Sequence, residues 1–126
     1  MRVLFLGDVV GRAGRDAITD RLAGIIAEHK FDFVVINGEN ASHGRGLTEP
    51  HFQNLKAAGA DVVTLGDHAF DQRDTLSYIE REPTLVRPVN MAPGTPGARC
   101  DTDRRSQRPS RAGGQCVGPG VHEPYR

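Results

Sequence analysis

The feature that most restricts how this chain can fold is its alternation of short apolar runs with stretches of helical periodicity. RVLFLG (2–7), FDFVVIN (31–37) and DVVTLG (61–66) are short and nearly all apolar, as strands covered on both faces require. Between the first two, RDAITDRLAGIIAEH (15–29) places Ile18, Leu22, Ile25, Ile26 and His29 on one stripe, with Asp16, Asp20 and Glu28 elsewhere. TEPHFQNLKAAG (48–59) reads as a second helix, with Thr48 as N-cap, Pro50 in the first turn and Gly59 as the stop. DQRDTLSYIER (71–81) reads as a third helix, ended before Pro83, and TLVRPVN (84–90) as a weaker fourth strand. Strands that alternate with helices predict an α/β fold around a parallel sheet with right-handed crossovers.

A parallel sheet makes the strand ends the next thing to read. The first three strands end in Gly7-Asp8, Gly38-Glu39-Asn40 and Gly66-Asp67-His68. Each is a glycine followed at once by oxygen or imidazole donors, and all three would point to one rim, where open α/β folds bind ligands. Asp8, Glu39 and Asp67 would repel one another there without a cation between them. A divalent metal site resolves the conflict, and oxygen ligands with histidine suit manganese, iron, magnesium or zinc. Glu39 and Asn40 therefore read as metal ligands rather than as a polar turn.

Other motifs are weaker. GDVVGRAGR follows a strand and opens a helix, but its glycines at 7, 11 and 14 do not match G-x-G-x-x-G, and no Lys-Ser/Thr pair marks a P-loop. Gly11 and Gly14 read instead as residues that let the loop turn tightly into the helix. ASHGRG (41–46) sets His43 and Arg45 between glycines, either as a solvated loop or as a mobile phosphate-contacting loop beside the metals. His29 and His51 fit helix faces as structural residues.

Composition limits the partners. A length of 126 residues predicts one domain, and a net charge of zero with a pI near 7.0 argues against stable binding to nucleic acid or to an anionic membrane. Cys100 and Cys116 lack metal-like spacing and read as reduced thiols. No apolar run approaches the ~18 residues of a membrane span, and the early run is broken by Gly7-Asp8, so it reads as a strand rather than a signal peptide. The expectation is a cytoplasmic protein, with room for a homo-oligomer.

LFLGDVVGRAGRD, VVINGENASHGRGLTE, GADVVTLGDHAFDQRD and LVRPVNMAPGTPG together resemble the YmdB-like metallophosphoesterases, a branch of the calcineurin-like phosphoesterase superfamily. The resemblance covers residues 1 to about 98 and implies the parallel-sheet half of a metallophosphoesterase α/β sandwich. It further implies hydrolysis of small phosphodiesters, 2′,3′-cyclic nucleotides among them, at a centre of two divalent ions, iron or manganese. By that similarity Asp8 and Asn40 would bind one metal, Glu39 would bridge both, Asp67 would bind the second, and His68 would donate a proton. The chain departs from the family at two points. Asp67 stands where the family has asparagine, which adds negative charge. The family also supplies three further histidine ligands from its second half, whereas only His122 follows His68 here. The alternative to an enzyme is therefore a catalytically inactive truncated fragment, with its sheet open where the missing half would pack.

Composition also changes near residue 99. Residues 1–98 hold 10 Lys/Arg and 13 Asp/Glu, whereas 99–126 hold 6 and 3, with Val117 and Val121 alone from the set Ile, Leu, Val, Met and Phe. Such a segment cannot offset the entropy of ordering itself. Residues 1–98 are expected to be the N-terminal part of the phosphoesterase domain and 99–126 an irregular tail, read out of frame. Back-translating 110–126 with freely chosen synonymous codons and reading one base later permits an apolar strand followed by a Gly-Arg turn.

Overall fold

The computed structural model describes residues 1–99. Eight elements follow in order: β1 (Val3–Leu6), α1 (Gly11–His29), β2 (Phe33–Asn37), α2 (Glu49–Ala58), β3 (Val62–Thr64), α3 (Thr75–Tyr78), β4 (Leu85–Arg87) and β5 (Ala98–Arg99). The five strands form one sheet in the order β1-β2-β3-β4-β5, and every pairing is parallel. Arg99, assigned by composition to the irregular tail, pairs with Arg87. The rest of that tail, with Cys100, Cys116 and His122, lies outside the described residues.

This strand order decides where the core lies. Each strand joins the edge of its predecessor, and crossovers of a single hand then pass over a single face. Ile18 and Leu22 of α1, Phe52 and Leu55 of α2, and Tyr78 of α3 share one cluster with Val34, Ile36, Val63 and Leu85 of the strands. Those four strand residues are fully buried, whereas Val3 is 47% and Phe5 62% exposed. The register places Val3 beside Phe33, Phe5 beside Val35, and Val35 beside Val62, so these residues form the second face. The expectation that the strands are buried on both faces is corrected. Every helix among the described residues buries its side chains on the first face, and the second is exposed at Val3 and Phe5 and half-buried at Phe33, Val35 and Val62.

The helix boundaries also differ from expectation, each for a local reason. α1 begins at Gly11 rather than at 15. Gly11 adopts φ +56° and donates its N–H to Asn40 O at 3.0 Å, so it makes the turn alone. Gly14 lies within the helix, where a Cβ would come 3.2 Å from Val9 Cγ1. Its glycine serves close approach rather than a turn. His29, expected on the apolar stripe, is exposed in the last turn. Lys30 follows it in the left-handed region and donates its N–H to Ile26 O.

Thr48 occupies the N-cap of α2 without a capping side-chain bond. Its hydroxyl lies 3.3 Å from Ser42 Oγ instead. The carboxylate of Asp74 takes over, accepting the Glu49 N–H at 3.1 Å. That use of Asp74 goes with the shortening of α3 from the expected 71–81 to Thr75–Tyr78. Residues 66–75 make successive tight turns, closed by Ala69 N–H to Gly66 O, Asp71 N–H to His68 O and Thr75 N–H to Gln72 O. Arg87 is buried at the end of β4. Its Nη1 donates to Pro88 O, and its Nε has no partner among the described residues.

The two faces should respond differently to substitution. Ile36→Ala removes a fully buried side chain and should cost about 2–5 kcal/mol in urea unfolding. Phe5→Ser, on the open face, should cost less than about 1 kcal/mol. Equal losses at the two positions would show that the second face is covered in solution.

Candidate metal centre

The parallel register carries the ends of β1, β2 and β3 to one rim, and backbone bonds sew the loops beyond them together. Val9 N–H donates to Asn37 O, Gly38 N–H to Thr64 O and Gly11 N–H to Asn40 O. Asp8, Glu39, Asn40, Asp67 and His68 all lie on this rim, in two groups. In the first, Asn40 Nδ2 donates to Asp8 Oδ2 at 2.8 Å. That bond occupies the amide nitrogen and leaves the Asn40 carbonyl oxygen as the donor available to a cation. In the second, Glu39, Asp67 and His68 each offer a ligand atom, all within 4.8 Å of one another.

Glu39 occupies a seat that requires glycine. A Cβ on Gly66 would lie 1.8 Å from Glu39 Oε2 and 2.2 Å from its Cδ, so the carboxyl rests directly on the Gly66 backbone. His68 N–H donates to Glu39 Oε1 at 3.3 Å from the other side. Gly38 is tight as well, since its Cβ would meet Val63 Cγ1 at 2.9 Å. The glycines that precede the acids at 39 and 67 thus make room for close approach. They are not turn residues with positive φ.

Burial pushes the Glu39 carboxyl above its ordinary value of 4.5, and contact with Asp67 adds to the rise. Asp67 is held below its ordinary value of 3.8, chiefly by the hydrogen bond from Glu39. Of the two, Glu39 is therefore the first to take up a proton as pH falls. A divalent cation is the other way to hold these two carboxyls together. Two carboxylates and a glycine seat shaped around one of them fit a hard cation, with the His68 imidazole beside them.

The ASHGRG loop is closed by backbone hydrogen bonds and braced just beyond its end. Ser42 N–H donates to Gly46 O, and Arg45 N–H to Ser42 O. Tyr78 Oη donates to Leu47 O at 2.6 Å and Thr75 Oγ1 to the same oxygen at 3.2 Å. Arg15 donates to Ala41 O. His51, expected on a helix face as a structural residue, lies 2.7 Å from Ser42 Oγ through Nδ1 and stacks at a tilt beside His43. Burial, Arg15 and His43 lower its pKa. His43 and Arg45 remain exposed.

Sequence reasoning missed Asp71. Its Oδ2 lies 2.9 Å from His68 Nδ1 and 3.3 Å from Arg45 Nε. The signal was its position three residues after a histidine within a turn. The expected helix over 71–81 hid it.

Residues 4–110 match the family described as YmdB-like protein. The 2′,3′-cyclic-nucleotide 2′-phosphodiesterase of Bacillus subtilis is 46% identical over 97 residues, which are 77% of this chain and 37% of that protein. A putative phosphatase/phosphodiesterase of Mycoplasma pneumoniae is 40% identical over 91 residues, 72% of this chain and 32% of that protein. Among solved structures, a hypothetical protein from Thermus thermophilus superposes with a TM-score of 0.72 at 44% identity, covering 78% of this chain and 38% of that one. A phosphatase from Mycoplasma pneumoniae gives 0.67 at 40%, covering 71% and 32%. The chain spans about a third of the length of the curated relatives it matches.

Two measurements follow from the Glu39 seat. Gly66→Ala should leave the protein folded but displace the carboxyl and weaken manganese binding by about tenfold or more. Unchanged affinity would contradict the seat. The second is the pH dependence of stability with chelator present. A carboxyl raised on folding contributes stability below its unfolded value, and that contribution is lost as pH rises through the folded value. Asp67 acts oppositely, but an amide at 39 can still donate to it. Glu39→Gln should therefore melt above the wild type at pH 8, and the gap should close below about pH 4. A variant that melts lower at pH 8 would show that ionised Glu39 stabilises the metal-free fold.

Proposed function

The chain belongs to the YmdB-like family, and on that premise we propose that its strand-end rim is a metal-dependent phosphodiesterase site acting on small phosphodiesters such as 2′,3′-cyclic nucleotides. One observation carries the reading: Glu39, Asp67 and His68 converge within 4.8 Å, beside the Asp8–Asn40 pair on the same rim. Asp8 and Asn40 would hold one divalent ion, Glu39 would bridge, and Asp67 would hold the second, with iron or manganese as the metals. When bound, such ions activate water and neutralise charge on the phosphoryl oxygens.

The chain's own groups account for the remaining steps. Attack by water at phosphorus forms one P–O bond and breaks the bond to the ribose oxygen. The departing alkoxide needs a proton. His68 stands next to a ligand and keeps Nε2 on the ligand side, 3.9 Å from Asp67 Oδ2, so its imidazolium can supply that proton. The second carboxylate at position 67 strengthens cation binding and lowers the Lewis acidity of the site.

A second reading, an inactive fragment, is favoured by the open apolar face bearing Val3 and Phe5. In this reading residues 1–98 are the N-terminal part of a phosphoesterase domain. The family match itself continues to residue 110.

The deciding experiment is metal content together with hydrolysis of a 2′,3′-cyclic nucleotide by the full chain with manganese or iron. The enzyme reading predicts turnover that falls about a hundredfold or more in His68→Ala. It predicts a smaller loss on bis(p-nitrophenyl) phosphate, whose leaving group needs no proton. Asp67→Asn should maintain or raise turnover. No turnover with less than one metal per chain supports the fragment reading.

A further inference from the structure

In a 2′,3′-cyclic nucleotide both ester oxygens belong to one ribose, so the alkoxide that His68 would protonate carries the nucleoside with it. The base must then lie on the His68 side of the rim. A cavity of about 550 Å³ opens there, lined by Ser42, His43, Arg45, Asp71 and Gln72. It adjoins the rim through Asp71, whose Oδ2 lies 2.9 Å from His68 Nδ1. Its volume falls within the roughly 300–1,000 Å³ of small-molecule pockets.

The lining suits a flat neutral group better than a phosphate. Arg45 already faces a carboxylate, with Nε 3.3 Å from Asp71 Oδ2, and that carboxylate would repel a second anion. The cavity offers two planar groups instead, the His43 imidazole and the Arg45 guanidinium, and both types stack on nucleobases. Ser42 N–H to Gly46 O at 2.9 Å and Arg45 N–H to Ser42 O at 3.0 Å close the loop around His43. The His43 ring lies 6.3 Å from that of His51, which is anchored 2.7 Å from Ser42 Oγ through Nδ1. Gln72 Nε2 donates to Arg45 O at 2.5 Å. Gly46 permits that approach, because a Cβ there would lie 2.8 Å from Gln72 Cγ. A surface ordered beforehand loses little entropy when a ligand settles on it.

We propose that this cavity is a nucleoside subsite, in which the base stacks on His43 and Arg45 while the phosphate lies at the rim. The inference rests on the phosphodiesterase reading and narrows its substrates to phosphodiesters that carry a base. Every base has a π-face, so stacking selects for the presence of a base more than for its identity. His43 and Arg45 are then specificity-determining residues, and an ester without a base forgoes their contact.

The first test is the proton spectrum of the histidine rings in the full chain without metal, titrated with adenosine and, separately, with ribose. The His43 signals are assigned by their loss in His43→Asn, since asparagine tolerates the left-handed φ of 55° at this position. The ring current of a stacked adenine should move the His43 signals upfield, and ribose should not. Signals that stay in place up to the solubility limit of adenosine overturn the subsite. The second test compares kcat/KM of the manganese-loaded chain on adenosine 2′,3′-cyclic phosphate and on methyl riboside 2′,3′-cyclic phosphate, which has no base. The nucleotide should be favoured about tenfold or more. His43→Asn should remove most of that preference through KM, and His43→Phe should keep it. Uridine and adenosine substrates should differ by less than either differs from the ester without a base, and a larger difference would overturn stacking as the mode of recognition. Equal turnover with and without a base overturns the subsite and leaves the phosphodiesterase reading intact. An adenosine shift in a chain without turnover supports the subsite and counts against the phosphodiesterase reading instead.

Discussion

Every strand among the described residues runs in one direction and joins the sheet beside its predecessor, and the remaining features of the molecule depend on that parallel register. It brings the ends of β1, β2 and β3 to one rim, so three separate Gly-acid steps in the sequence become two neighbouring groups of donors. It also sends the helices to one face, where Val34, Ile36, Val63 and Leu85 are sealed beneath them. The same topology leaves Val3 and Phe5 on an uncovered face. Site and open surface thus have a common cause.

Within the rim, the controlling balance is between two carboxyls seated close together. Glu39 rests on Gly66 and against Asp67, and its raised pKa records the cost of ionising it there. Around this pair, hydrogen bonds and the Arg45–Asp71 ion pair hold the surrounding loops together. Tyr78 and Thr75 fasten Leu47 O, and Asp74 caps α2. Arg45 and Gln72 join the loop after β2 to the turn after β3. A short helix of four residues therefore contributes more to placing the site than its length implies.

The alternation of apolar runs and helical periods predicted the order of the first four strands and three helices, and the strand-end donors could be named from the sequence. Contacts between distant segments could not. Thr48 looks like a cap, but only the fold reveals that Asp74, far along the chain, takes that role. His29 fits the period of the apolar stripe, yet α1 has passed the edge of the core by its last turn. Strand burial was overestimated at Val3 and Phe5, because an apolar run does not tell which of its faces finds a neighbour. The importance of Asp71 depends on a turn that breaks the expected helix. Local periodicity carries no trace of it.

The central claim is that the strand ends form a divalent cation site in whose metal-free state Glu39 is the carboxyl with the raised pKa. Calorimetric titration of the full chain with manganese, repeated in buffers of different ionisation heat, tests it directly, because binding that displaces a bound proton shows a buffer-dependent heat. The account predicts binding accompanied by proton release near and below the raised titration range of Glu39, with the release absent in Glu39→Gln. No binding, or binding with the same heat in every buffer across that range, would contradict it.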